Sequence, residues 1–89
     1  MISHTTAQFR ELYWVLPNEV RNHARKGYAR FKQNPSHPGL VFKQVHPSKP
    51  IYSARVSRNY RVLGIREDNT LIWFWIGTHA EYDKIISQL

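Results

Sequence analysis

Two runs rich in β-branched and aromatic residues, Tyr60–Arg66 and Thr70–Ile76, flank the pair Asp68-Asn69. Such runs read as strands, and a turn pair between them makes an antiparallel hairpin. With Asp68-Asn69 as the turn, Glu67 faces Thr70 and each step outward adds a pair. Arg61 then falls opposite Ile76, on the face of Leu63 and Phe74. At that end of the hairpin the chain leaves toward His79. Arg61 and His79 are therefore expected to be neighbours.

The rest of the chain supplies what covers the hairpin. Thr5-Thr6-Ala7-Gln8 reads as a capping box with Thr5 as N-cap. Phe9, Leu12, Tyr13 and Leu16 follow at helical spacing. A second helix is expected from Pro17 to Gln33, with Val20, Ala24, Tyr28 and Phe31 as its buried stripe and Arg21, Arg25, Lys26 and Arg30 outside. Asn34-Pro35 ends it. Val41–Val45 reads as a weak strand and Ile51–Val56 as a better one. His79–Leu89 reads as a short amphipathic helix, with Tyr82, Ile85, Ile86 and Leu89 on one stripe. The expected fold is α+β. Two N-terminal helices pack on one face of a three- or four-stranded antiparallel sheet, and a short helix closes the chain. With 89 residues, positions 1–89 are expected to form a single domain.

The turn Ser57–Asn59 decides where charges meet. A three-residue loop with Asn59 left-handed puts Arg55 opposite Arg61 on one face. A two-residue loop puts them on opposite faces, because a one-residue slip flips every side chain. The three-residue loop is favoured, since it leaves Tyr52, Ala54, Val56, Tyr60, Val62, Gly64, Trp73 and Trp75 as an uncharged face for the helices.

Charge points to a partner. Between Val20 and Arg66 lie eleven Lys/Arg and no Asp or Glu, in a chain of net charge +7. A field that one-sided attracts nucleic acid or anionic lipid, against the plainer reading of a solvated basic surface. There is no Cys, so disulfides and thiolate chemistry are ruled out. No secretory leader or membrane span is expected, and a cytoplasmic location fits. No metal-ligand spacing, Gly-rich phosphate loop or converging carboxylates are present, so neither metal nor cofactor is expected.

Chemistry falls to Arg, Lys, His and Tyr. Arg55 and Arg61 side by side repel unless an anion sits between them, and guanidinium matches phosphate oxygens. The alternative is two solvated strand arginines. His79, beside cations, is expected to be neutral enough to act as a base, or else simply to cap its helix. Tyr82 is either a base-stacking residue or part of the helix's core stripe. His46, in a loop with Lys43 and Lys49, is the other histidine of interest.

Several segments together resemble the RelE/ParE superfamily of toxins from type II toxin–antitoxin systems. They are Leu16-Pro17, Asn34-Pro35 with Leu40 and Lys43, Tyr52–Val56, Asn59-Tyr60-Arg61-Val62, and Trp75–Tyr82. The resemblance implies a RelE-like fold and an antitoxin partner that binds and blocks the toxin. It implies a metal-free mRNA endoribonuclease associated with the ribosome. In that chemistry a 2′-hydroxyl attacks the adjacent phosphate to leave a cyclic phosphate and a 5′-hydroxyl. Arg55, Arg61, His79 and Tyr82 would be catalytic, and Lys43, Lys49 and Arg58 would hold flanking RNA. Ser53 departs from members that carry a lysine there. ParE-like relatives that poison gyrase without cutting RNA share the scaffold, so that reading stays open, as does a non-catalytic nucleic-acid-binding module.

Overall fold

The computed structural model describes residues 1–89. The elements run β1 (Ile2–Thr5), α1 (Ala7–Trp14), α2 (Asn18–Gln33), a 3-10 turn (Pro38–Leu40), β2 (Lys43–Gln44), β3 (Ile51–Ser57), β4 (Tyr60–Glu67), β5 (Thr70–Thr78) and α3 (His79–Gln88). One five-stranded sheet has the order β1-β5-β4-β3-β2. All neighbours are antiparallel except β1 and β5. The α+β expectation holds, with one strand more than the sequence suggested. No helix is long and apolar enough to cross a membrane.

The added strand corrects the first cap. Thr5 is the last residue of β1, opposite Trp73. Thr6 is the N-cap instead, its hydroxyl accepting from Phe9 N at 3.1 Å. Four residues are too few to show a strand period, so β1 is recognisable only by what it pairs with. It is tied by Trp73 Nε1 donating to Ser3 Oγ (2.9 Å) and Tyr28 Oη donating to Ser3 O (3.1 Å). Pro17 is the N-cap of α2 rather than its first helical residue.

The core lies between the N-terminal helices and one face of the sheet. Phe9, Phe31, Leu40, Ala54, Val62, Leu71, Trp73 and Ile76 form it. Phe31 meets Phe42 and Trp73 edge-on, with ring centroids 5.0 and 5.3 Å apart. Such pairs add about 0.5–1.5 kcal/mol each beyond their burial.

The β4–β5 hairpin turns as expected, with Glu67 opposite Thr70 and Asp68 left-handed at φ 54. Its register then slips. Leu63 pairs with Trp75 but Gly64 pairs with Trp73, so Phe74 is an extra residue. Arg61 consequently lies opposite Gly77, not Ile76. The bulge lets Trp73 and Ile76, three positions apart, both join the helix-side core. Trp75 leaves the face where alternation placed it and leans over Gly77 on the other side, where a Cβ would come within 2.5 Å of its ring. Gly64 suits this slip: a Cβ there would meet the Trp73 ring at 2.8 Å.

Helix α3 packs on the opposite face, against β4 and β5. Thr78 caps it with a reciprocal box, its hydroxyl accepting from Glu81 N (3.2 Å) while its own N–H donates to Glu81 Oε1 (3.1 Å).

Candidate active site

The β3–β4 connection brings the two strand arginines together by a different route from the one expected. Arg58-Asn59 is the turn, and Asn59 is not left-handed. The additional residue is taken up within β3, where register shifts between Arg55 and Ser57. Its effect is the same: Arg55 sits directly opposite Arg61. A bulge in the strand and a longer loop are equivalent for every residue beyond them.

Arg61 is held in place from below. Its Nη1 donates to the carbonyls of Ser57 (2.7 Å), Tyr60 (2.9 Å) and Arg58 (3.3 Å). The turn thus fixes one edge of the guanidinium and leaves the other N–H groups for an anion. Burial, and then the neighbouring Arg55 charge, lower the Arg61 pKa from its ordinary value. Guanidinium stays charged despite this, so an anion between them would relieve the repulsion of the two adjacent cations.

His79 arrives from the other side. As first residue of α3 it donates its backbone N–H to Asn59 O at 2.7 Å, which ties the helix start to the β3–β4 turn. Its Nδ1 lies 3.1 Å from Asp83 Oδ2, one helical turn on. With Nδ1–H donating to Asp83, Nε2 is left as the acceptor nitrogen. The His79 and Tyr82 rings meet edge-on at 5.7 Å. Tyr82 Oη donates to Ser53 Oγ at 3.2 Å, and Ser53 is only 2% exposed.

These groups share one polar cleft of about 290 Å3. Arg55, Arg61, His79, Tyr82 and Lys43 all line it. Lys43 reaches it because β2 pairs with β3, placing Lys43 opposite Ser53. Val41 stands at the rim in a left-handed conformation (φ 46), an uncommon state for a β-branched residue.

The comparisons accord with this architecture. The ParE-like toxin domain model matches residues 18–84. The chain belongs to the ParE-like toxin family. The fold of this ParE-like domain is also that of RelE in the RelB–RelE antitoxin–toxin complex from Methanococcus jannaschii (TM-score 0.73, 15% identity, 91% of this chain and 95% of that one). YafQ from E. coli is similar as well (TM-score 0.71, 16% identity, 90% and 94%). So is a chain of a RelBE toxin–antitoxin complex from Mycobacterium tuberculosis (TM-score 0.71, 18% identity, 88% and 96%). No curated protein is a significant match.

Within the ParE-like domain, not every candidate residue reaches the cleft. Lys49 and Arg58 do not line it. Arg58 serves the site through its backbone carbonyl, which accepts from Arg61. His46 is a turn residue: Nδ1 accepts from the N–H of Ser48 (3.1 Å) and Lys49 (2.8 Å), and Nε2 lies 3.3 Å from Leu89 O. Sequence reasoning passed over Asp83 and saw Ser53 only as a departure from a lysine position. Asp83 carried a signal, its i+4 spacing from His79. Ser53 carried none, because its importance comes from a tyrosine 29 positions away.

Proposed function

We propose that this ParE-like domain, residues 1–89, is the cytoplasmic toxin of a toxin–antitoxin pair and cuts mRNA at the ribosome without a metal. The observation that carries the reading is the convergence of Arg55, Arg61, His79 and Tyr82 on one cleft, with the His79 ring oriented by Asp83. RNA cleavage by its own 2′-hydroxyl needs a base for that hydroxyl and cations for the charge that grows on the phosphoryl oxygens. His79 Nε2 takes the 2′-hydroxyl proton as the 2′-oxygen bonds to phosphorus. Arg61 and Arg55 hold the phosphoryl oxygens. The bond to the 5′-oxygen breaks, and that oxygen is protonated by solvent in the open cleft. A 2′,3′-cyclic phosphate and a 5′-hydroxyl remain. Tyr82 positions the base next to the scissile bond, and Lys43 meets a flanking phosphate. Lys49 and Arg58, outside the cleft, would contact RNA further along or the ribosome.

The partner follows from the relatives: RelE was crystallised with RelB, and YafQ with DinJ. An antitoxin encoded with this chain, bound in a stable complex, is the corresponding expectation.

The test compares wild type, Arg61→Ala and His79→Ala on three substrates: programmed ribosomes, free RNA, and gyrase with supercoiled DNA. Codon-positioned cuts by wild type, lost in both variants, support the proposal. Intact RNA with stalled gyrase would replace it with a gyrase-poisoning toxin. Nucleic-acid binding with neither activity would leave a non-catalytic module.

A further inference from the structure

Arg55 is shared between two clefts. Beyond it lies a second polar cleft, of about 320 Å3, which His23, Lys26 and Arg30 of α2 also line. Those three stand on one face of the helix, spaced three and four apart. The other cations of α2 are engaged within the chain. Arg21 donates to the carbonyls of Trp14 and Leu16 and to Asn18 Oδ1. Arg25 donates to Tyr13 Oη and Asn22 Oδ1, and Lys32 sits over the Tyr28 ring. The Lys26, Arg30 and Arg55 side chains by contrast make no hydrogen bond, ion pair or cation–π contact within the chain.

Gly27, between Lys26 and Tyr28, also lines this cleft. Glycine within a helix is disfavoured relative to alanine. Packing does not demand it here, because a Cβ would come no nearer than 3.9 Å to Leu40 Cδ2.

We propose that the two clefts form one track for a single polynucleotide strand, with Arg55 as the bridge. The scissile phosphate sits between Arg61 and Arg55, and a neighbouring phosphate sits among Arg55, Lys26 and Arg30. The inference rests on the nuclease reading for the first cleft. A ligand with an anion at every repeat suits two cation-lined clefts joined by one guanidinium. The second cleft itself has only Leu40 and Val56 as apolar side chains, which it shares with the apolar pocket between α2 and the sheet. An acidic peptide anchored in that pocket is therefore the competing occupant, and polyglutamate tests its charge contribution.

The test uses labelled single-stranded 2′-O-methyl oligonucleotides, from dinucleotide to octanucleotide, whose blocked 2′-oxygen prevents cleavage. Wild-type affinity, read by fluorescence anisotropy, is expected to step up once the strand is long enough to cross Arg55. The double variant Lys26→Gln/Arg30→Gln abolishes the step and weakens octanucleotide binding roughly tenfold. It also reduces the salt slope by about 0.7, the value for one phosphate contact on a single strand. Dinucleotide affinity stays unchanged. Equal weakening at every length would overturn the track in favour of general charge attraction, and so would no weakening at all. A matched loss of polyglutamate binding would overturn it in favour of an acidic protein partner. Should wild type cut no RNA and still show the length step, the nuclease reading falls while the track stands.

Discussion

The two faces of the sheet are built from the same strands and do different work. Toward α1 and α2 the strands present Ala54, Val62, Trp73 and Ile76, all buried in a common apolar core. Toward α3 they present Ser53, Arg55 and Arg61 around the fully buried Leu63, and α3 itself contributes no buried residue. Strand alternation makes this division possible, since neighbours along a strand can serve stability and chemistry independently. Two bulges make it work. One in β3 sets Arg55 beside Arg61, and one in β5 returns Ile76 to the core while moving Trp75 away. Substitutions on the helix side, and of Leu63 on the other, should therefore cost folding, and those of the polar residues on the α3 side should cost activity.

The largest effect is expected at the core. Phe31→Ala removes an aromatic that is 2% exposed and should destabilise the fold by about 3–5 kcal/mol. Chemical denaturation measures this, and a loss under 1 kcal/mol would mean that the face is less tightly packed than described. Gly64→Ala tests the bulge. The new methyl would press on Trp73, which is itself anchored to Ser3, so a loss of about 1–3 kcal/mol is expected, as for other overpacked sites. An unchanged midpoint would show that Trp73 does not depend on the glycine.

Smaller effects belong to the other face. Asp83→Asn should reduce RNA cleavage by about 1.4- to fivefold, because exposed pairs are worth roughly 0.2–1 kcal/mol. Thermal stability should stay unchanged. A cleavage rate identical to wild type would remove Asp83 from the site. The smallest effect concerns Glu81, whose carboxyl is held below the usual range by the Thr78 backbone N–H and then its hydroxyl. A depressed folded pKa gives stability that is fully present above the ordinary carboxylate value and lost as pH falls through the folded one. Glu81→Gln should therefore flatten that part of the acid stability curve. Parallel curves for the two proteins would contradict it.

Much of this division was legible in the sequence. The β4–β5 turn and the helix stripes follow from period and turn chemistry, whereas the pairing of Arg55 with Arg61 is expected from a three-residue turn and is made instead by a bulge in β3. The nearness of Arg61 to His79 survived a register error of one residue, because both lie at the same end of the hairpin. Strand β1 was not legible: its partner is β5, at the far end of the chain. Nor was the bulge at Phe74, because it arises from how the Trp73 ring fits over Gly64, a contact between strands. Ser53 looked like a missing lysine and proved to be the buried anchor of Tyr82.

The phosphate-cleaving site proposed for the α3 face is separable from the core beneath it. The most direct measurement is end-group analysis of RNA incubated with wild type and Arg61→Ala, each with its melting temperature recorded. Wild type should leave 2′,3′-cyclic phosphate and 5′-hydroxyl ends. Arg61→Ala should lose cleavage by about 100-fold or more, as when a group stabilising transition-state charge is removed, yet melt close to wild type. RNA left intact by wild type, or cut undiminished by Arg61→Ala, would contradict the claim.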